Sequence, residues 1–215
     1  MGQKVNPINF RIGVTTNWKS RWFAEGSDYK KYLLEDSKLR TVLDERYKIA
    51  GVDSIEIERL PKAIMVKLSV SRPGIVIGRG GSGIEDARNL ILKTLNLNLK
   101  NAPKIDVQVE EVKNADLSAK LVAQRIVSEM ERRMPHRRVV TRIIDRVMSS
   151  GAKGIKVALA GRIEGADIAR KEKFKEGSVP TQSLRANIDY AEVKALLKRG
   201  YVGVKVWIYA PVSEN

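Results

Sequence analysis

The residues Val76-Ile77-Gly78-Arg79-Gly80-Gly81-Ser82-Gly83-Ile84 lie between a strand-like run and a helix-like run. Gly78 and Gly81 bracket two residues, a G-x-x-G turn with a cation, Arg79, at its middle. Glycine lacks the Cβ that keeps another backbone at a distance. A helix beginning just after such a turn presents free N–H groups, which favour phosphate oxygens. This chemistry clamps the sugar-phosphate chain of a single-stranded nucleic acid. Two other readings stand beside it. Gly78, Gly80 and Gly83 also fit G-x-G-x-x-G, the dinucleotide fingerprint, with Asp106 about twenty residues further on; or the stretch is a purely structural turn. A Pro73-Gly74 break before the glycines, the lack of a clean βαβ series and the cation in the loop favour the polymer over the dinucleotide. No Gly-Lys-Ser or Gly-Lys-Thr follows, so the nucleotide-hydrolysing P-loop is absent.

A second constellation is Arg132-Arg133-Met134-Pro135-His136-Arg137-Arg138-Val139-Val140-Thr141-Arg142, with five arginines in eleven residues and no acid. Arginine grips phosphate with a rigid fork, so a stripe binding phosphates is expected, against the plainer alternative of a solvated helix face. His136 reads as an incidental member of that surface, since no nucleophile pairs with it. A third patch, Arg170-Lys171-Glu172-Lys173-Phe174-Lys175, is diluted by acids and divides evenly between RNA contact and solvation. In the first 26 residues Arg11, Lys19 and Arg21 interleave with Phe10, Trp18, Trp22 and Phe23. Either that arm lies along RNA, or its aromatics tuck onto the body. Glu110-Glu111 falls on a strand, where neighbours point oppositely, and makes a poor acid/base pair.

Lys and Arg number 40 against 25 Asp and Glu, a net charge of +15 with a pI near 10.0. That excess favours a polyanionic partner. It is distributed: residues 61–100 and residues 151–215 each carry a net +5. Hydrophobic residues make up 43%, enough for packed cores. There is no cysteine and one histidine, which excludes disulfides, thiolate metal sites and His-rich zinc sites. No apolar run reaches membrane-spanning length, the first residues lack a signal peptide's apolar core, and Gly2 does not sit in a full myristoylation motif.

The spacing predicts a short helix from Ser27 or Asp28 to Leu34 and another from Asp36 or Ser37 to Gly51. Strands are expected around Ile55–Ile57 and Ile64–Val70, then the glycine turn, a helix over 84–97 and a strand over 104–112. After a linker at 114–116 come a helix over 117–134, a break at Pro135, and a helix to Gly151. A strand at 155–159, an ambiguous stretch over 163–174, a strand over 183–190, a short helix over 191–198 and a strand over 202–209 complete a second α+β unit. No internal repeat or low-complexity segment is present.

The glycine stretch, within the order helix, strand, strand, turn, helix, strand, resembles a type II KH domain. Over nearly the whole chain the sequence resembles the family of the third protein of the small ribosomal subunit, bacterial or organellar type. The resemblance is carried by Met1-Gly2-Gln3-Lys4-Val5-Asn6-Pro7, Arg72-Pro73-Gly74-Ile75-Val76-Ile77-Gly78, Gly151-Ala152-Lys153-Gly154-Ile155-Lys156-Val157 and Gly161-Arg162-Ile163. Leu184-Arg185-Ala186-Asn187-Ile188-Asp189-Tyr190 and Gly203-Val204-Lys205-Val206-Trp207-Ile208 complete it. It implies an α+β protein of two domains. Residues 1–36 would be a basic, aromatic arm with a short helix. Residues 37–113 would be a type II KH domain, a three-stranded mixed sheet with helices on one face. Residues 114–215 would be an α+β domain with a mainly antiparallel sheet packed on two helices.

The implied role is non-enzymatic: a cytoplasmic ribosomal component that binds small-subunit rRNA at the head and lines the channel where mRNA enters. It would help unwind mRNA, touch the tenth and fourteenth proteins of that subunit, need no cofactor and not form a homo-oligomer. An organelle is the alternative location, and a free KH regulator outside the ribosome the alternative function. Gly78, Arg79, Gly80 and Gly81 would form the KH turn, and Arg132, Arg133, Arg137, Arg138 and Arg142 the mRNA-facing cluster. Further rRNA contacts would come from Lys4, Arg11, Lys19, Arg21, Arg72, Lys153, Lys156, Arg162, Arg170, Lys171, Lys173 and Arg185. Arg137 and Arg138 match the family's cluster directly. The next family position is commonly Lys and here is Thr141, followed by Arg142.

Overall fold

The computed structural model describes residues 4–95 and 103–211. Its elements in chain order are α1 (Pro7–Arg11), β1 (Ser20–Arg21), α2 (Gly26–Arg46), β2 (Val52–Leu60), β3 (Ala63–Val70), α3 (Pro73–Ile77) and α4 (Ser82–Thr94). They continue with β4 (Lys104–Glu111), α5 (Ala119–Glu131), α6 (His136–Ser149), β5 (Gly154–Gly161), β6 (Arg170–Gly177), β7 (Ile188–Leu197) and β8 (Gly200–Tyr209). The chain divides into two compact units, one over Trp18–Lys113 and one joining residues 4–17 to residues 114–211.

In the unit over Trp18–Lys113, β2 and β3 alternate buried and half-exposed residues and pair antiparallel. β3 then pairs parallel with β4 through the α3–α4 crossover, giving a mixed sheet. The two-residue β1 adds a fourth strand parallel to β2, in the order β1-β2-β3-β4, beyond the three strands expected. Leu39 and Leu43 of α2, Val76 of α3 and Ala87 and Ile91 of α4 pack on Ile57, Val66, Leu68 and Val107. The two short helices expected over 27–51 are one helix, α2, of 21 residues. Asp36 and Ser37 do not cap a break there, because the Asp36 carboxylate is committed elsewhere. It accepts from Trp22 Nε1 at 2.8 Å, Ser20 Oγ at 2.9 Å and the Arg59 fork at 2.6 and 2.9 Å. The helix expected over 84–97 spans Ser82–Thr94, and residues 96 and 97 lie outside the described residues.

In the other unit, the Ser118 side chain caps α5 by accepting from the Leu121 N–H, so the helix starts two residues later than expected. It ends at Glu131, leaving residues 132–135 as the turn into α6. β6-β5-β8-β7 form an antiparallel sheet. Ile126, Val140, Ile143 and Val147 of the helices pack on Val157, Leu159, Val204 and Val206. The short helix expected over 191–198 is instead part of β7. Ala191 and Ala195 sit buried in a ladder running from Ile188↔Tyr209 to Leu197↔Gly200, and hairpin pairing overrides their helix propensity. For the same reason the strand expected over 183–190 begins only at Ile188. The ambiguous stretch is a single turn, Ile163–Gly165, followed by the edge strand β6.

α1 is held by Arg11. Its guanidinium donates to the carbonyls of Pro7, Thr181, Ser183 and Ala186 at 2.7–3.1 Å. Arg11 is fully buried, so it ties the N-terminal helix to the loop before β7 and is not the surface RNA contact expected from its charge.

Candidate nucleic-acid interface

The glycine turn is built by close approach. A Cβ on Gly83 would lie 2.2 Å from the Val76 carbonyl oxygen, so only glycine lets α4 start against the end of α3. Gly78, Gly80 and Gly81 have φ of 70°, 62° and 86°, and the space around Gly80 and Gly81 is open. No side chain caps α4, which leaves the N–H groups of its first turn unpaired by one. Arg79 is exposed and has no acidic partner among the described residues. The dinucleotide reading loses its support: α3 stands between β3 and the glycines, and Asp106 lies on β4, 3.7 Å from Arg88.

The arginine cluster occupies the turn between α5 and α6. The turn closes with paired hydrogen bonds, Arg133 N–H to Met130 O and Met134 N–H to Glu129 O, a motif that places one residue in the left-handed region. Here that residue is Arg133, at φ 62°, where glycine is usual. Val139, Val140, Ile143, Ile144 and Val147 bury one face of α6, which leaves Arg137, Arg138, Thr141 and Arg142 outside. Arg132, Arg133 and Arg138 are exposed and without acidic partners among the described residues. The Arg137 side chain is 75% exposed, with its Nε 3.9 Å from Glu172. Arg142 differs: Glu129 holds it in a close ion pair, so it does not supply the charge missing at Thr141. His136 is no surface residue. It is buried, with both ring nitrogens 2.8 Å from carboxylates, those of Glu164 and Glu172.

The sheet face turned away from the helices carries a second cationic surface. Lys156 lies over Trp207, 5.1 Å from the ring centroid, and Trp207 packs against Tyr190 at 5.2 Å. Lys175 is the cross-strand partner of Lys156, and Lys173 stands two residues along the same edge strand. Burial pushes the Lys156 ammonium below its ordinary pKa, and the charges of Lys4, Lys173 and Lys175 push the same way. Lys153 lies over the Tyr209 ring at 5.5 Å. Tyr190, Trp207 and Tyr209 were not among the expected contacts, and Lys175 entered only as part of the third basic patch. Period-two alternation along β5, β7 and β8 was the signal that pairs them with the lysines.

The other expected contacts vary. Lys4, Lys19, Arg72, Lys171 and Arg185 are exposed. Arg21 faces Glu56 and Glu58, Arg162 faces Asp167, and Arg170 faces Glu172 at 3.3 Å, so each carries a partially neutralised charge. In the N-terminal arm Trp22 packs against Tyr29 and Tyr32, whereas Trp18 and Phe23 remain exposed. Among the described residues no cluster of His, Asp and Glu is able to hold a metal, and no helix is long and apolar enough to cross a membrane.

A glycine turn set between two helices on a mixed sheet, in a chain whose second α+β unit is rich in unpaired cations, defines a KH-containing RNA-binding protein. The family model described as KH domain matches residues 38–117, and that described as ribosomal protein S3, C-terminal domain, matches residues 126–208. The chain is 51% identical to small ribosomal subunit protein uS3 of Persephonella marina over 209 residues, which cover 97% of this chain and 90% of the relative. It is 46% identical to the uS3 of Caldicellulosiruptor saccharolyticus, with 97% and 92% covered, and 47% identical to that of Bacillus cereus, with the same coverage. The chain belongs to the uS3 family, which consists of ribosomal components and not of enzymes.

Proposed function

We propose that this chain is a structural, RNA-binding component of the small ribosomal subunit head in a bacterial cytoplasm. A single copy binds small-subunit rRNA, touches the tenth and fourteenth proteins and lines the channel where mRNA enters. The observation that carries the mRNA assignment is the stripe of Arg132, Arg133, Arg137 and Arg138, all exposed. Such a wall reads phosphate charge and not base sequence, which suits a strand that must slide. Resistance to a folded message comes from holding its leading strand by phosphates while the duplex stays outside. The lysine and aromatic face of the second sheet, with Lys153, Lys156, Lys173, Trp207 and Tyr190, suits rRNA, where stacking and phosphate contacts combine. The KH turn, Gly78 to Gly81, offers a further backbone clamp.

The test is the double substitution Arg137→Ala with Arg138→Ala. Both side chains are exposed, so folding and subunit assembly are expected to persist while translation through hairpin-containing messages slows. Equal rates on hairpin and unstructured messages in the double variant would remove the mRNA assignment.

A further inference from the structure

His136 is the only histidine of the chain, and the RNA-binding reading leaves it without a role. Its side chain is 4% exposed, and its ring meets Phe174 edge-on with centroids 6.3 Å apart. Nδ1 lies 2.8 Å from Glu164 Oε1, and Nε2 lies 2.8 Å from Glu172 Oε2. A carboxylate only accepts, so both ring nitrogens donate, and only the imidazolium has two N–H groups. His136 is also the first residue of α6, at the positive end of the helix dipole, where a cation is disfavoured. The two carboxylates offset that penalty. Glu164 reaches the ring from a left-handed backbone at φ 54°, a conformation uncommon outside glycine.

Glu172 is the contested group. Its Oε2 serves His136, its Oε1 lies 3.3 Å from Arg170 Nε, and Arg137 Nε waits 3.9 Å from Oε2. The hydrogen bond from His136, more than the neighbouring arginine charges, holds the Glu172 carboxyl below its ordinary value. The remaining charged groups near the ring, Arg133, Lys198 and Arg199, border with it a cavity of about 640 Å³. Arg199 is committed to the Gly165 carbonyl and to Asp167. Of the two cations beside Oε2, His136 also has Glu164, whereas Arg137 has no other acidic partner among the described residues.

We propose that His136 is a positioning residue for the arginine stripe. Clamped between Glu164 and Glu172, its imidazolium occupies the carboxylate oxygen that Arg137 would otherwise take, and so leaves the Arg137 guanidinium to phosphate. The inference rests on the stripe being an RNA-binding surface.

The whole chain is titrated with a single-stranded oligoribonucleotide at a series of salt concentrations. Arg137→Ala in the native background is expected to reduce the log–log salt slope by about 0.7, the share of one phosphate contact on a single strand. In a His136→Gln background the slope is already reduced by that amount, Arg137→Ala reduces it no further, and adding Glu172→Gln restores it. Equal losses from Arg137→Ala in both backgrounds, or no recovery with Glu172→Gln, overturn the proposal. A slope untouched by Arg137→Ala in the native background is a different result, which removes the stripe reading and this inference with it. A measurement on the unmodified protein guards against variants that do not fold. The single histidine gives one pair of ring ¹⁵N resonances, expected as two N–H donors, one to each carboxylate; a ring nitrogen that carries no proton overturns the proposal.

Discussion

Arg133 does two things that conflict. It closes the α5 terminus in a left-handed conformation, which costs a residue with a Cβ about 1 kcal/mol relative to glycine. It also adds a cation to the stripe at the helix junction. Arg133→Gly is therefore expected to raise stability by about 1 kcal/mol, read from denaturant unfolding, while weakening RNA binding and lowering its salt slope. A variant that gains neither stability nor salt-insensitivity would show that the conformation is not strained and the charge not used. Arg11 and Arg142 illustrate the opposite fate of the same side chain. One is consumed by four backbone carbonyls and the other by Glu129. The charge of an arginine is read from the sequence but its partner is not, because three of the four carbonyls around Arg11 lie 170 to 175 positions away.

At the scale of elements, the glycine turn is a packing device, apart from the clamping proposed for it. Gly83→Ala drives a Cβ into the Val76 carbonyl and is expected to cost about 1–3 kcal/mol, whereas Gly74→Ala, with nothing within 4 Å of its added carbon, is expected to be close to neutral. Thermal or denaturant unfolding of the two variants checks the contrast. The turn was legible in the sequence because glycine spacing is local information. So were β2, β3, β4 and both C-terminal helices, whose apolar periods are regular. β7 was not legible. Residues 191–198 contain alanine, leucine and lysine at helical spacing, and only pairing with β8 decides against a helix. α2 was misread for a related reason: Asp36 resembles a cap until Arg59, Trp22 and Ser20, brought from other elements, occupy its carboxylate. The arginine stripe was legible as charge, but the burial of His136 beneath it depends on Glu164 and Glu172, which arrive from beyond β5.

Across the whole molecule, carboxylates held by arginines set the acid limit. Burial pushes the Asp116 carboxyl up, but hydrogen bonds and charge from Arg125 and Arg146 leave it below its ordinary value of 3.8. A depressed folded-state value means that the stabilisation is complete above the unfolded value and lost as pH falls through the folded one. Asp116→Asn is therefore expected to lower Tm at neutral pH, with the gap to the native protein closing as the pH falls below 3.8. A gap independent of pH would mean that the ion pairs contribute nothing.

The crowding of Lys4, Lys173 and Lys175 around Lys156 has a consequence for the molecule before it meets RNA. Like charges so close together oppose compaction until something negative lies across them. Dissolved electrolyte relieves this internal repulsion and competes with the polymer at once. Raising ionic strength thus makes the solitary polypeptide harder to melt and the ribonucleoprotein easier to dissociate, which ties the newly made chain's durability to how promptly it is assembled.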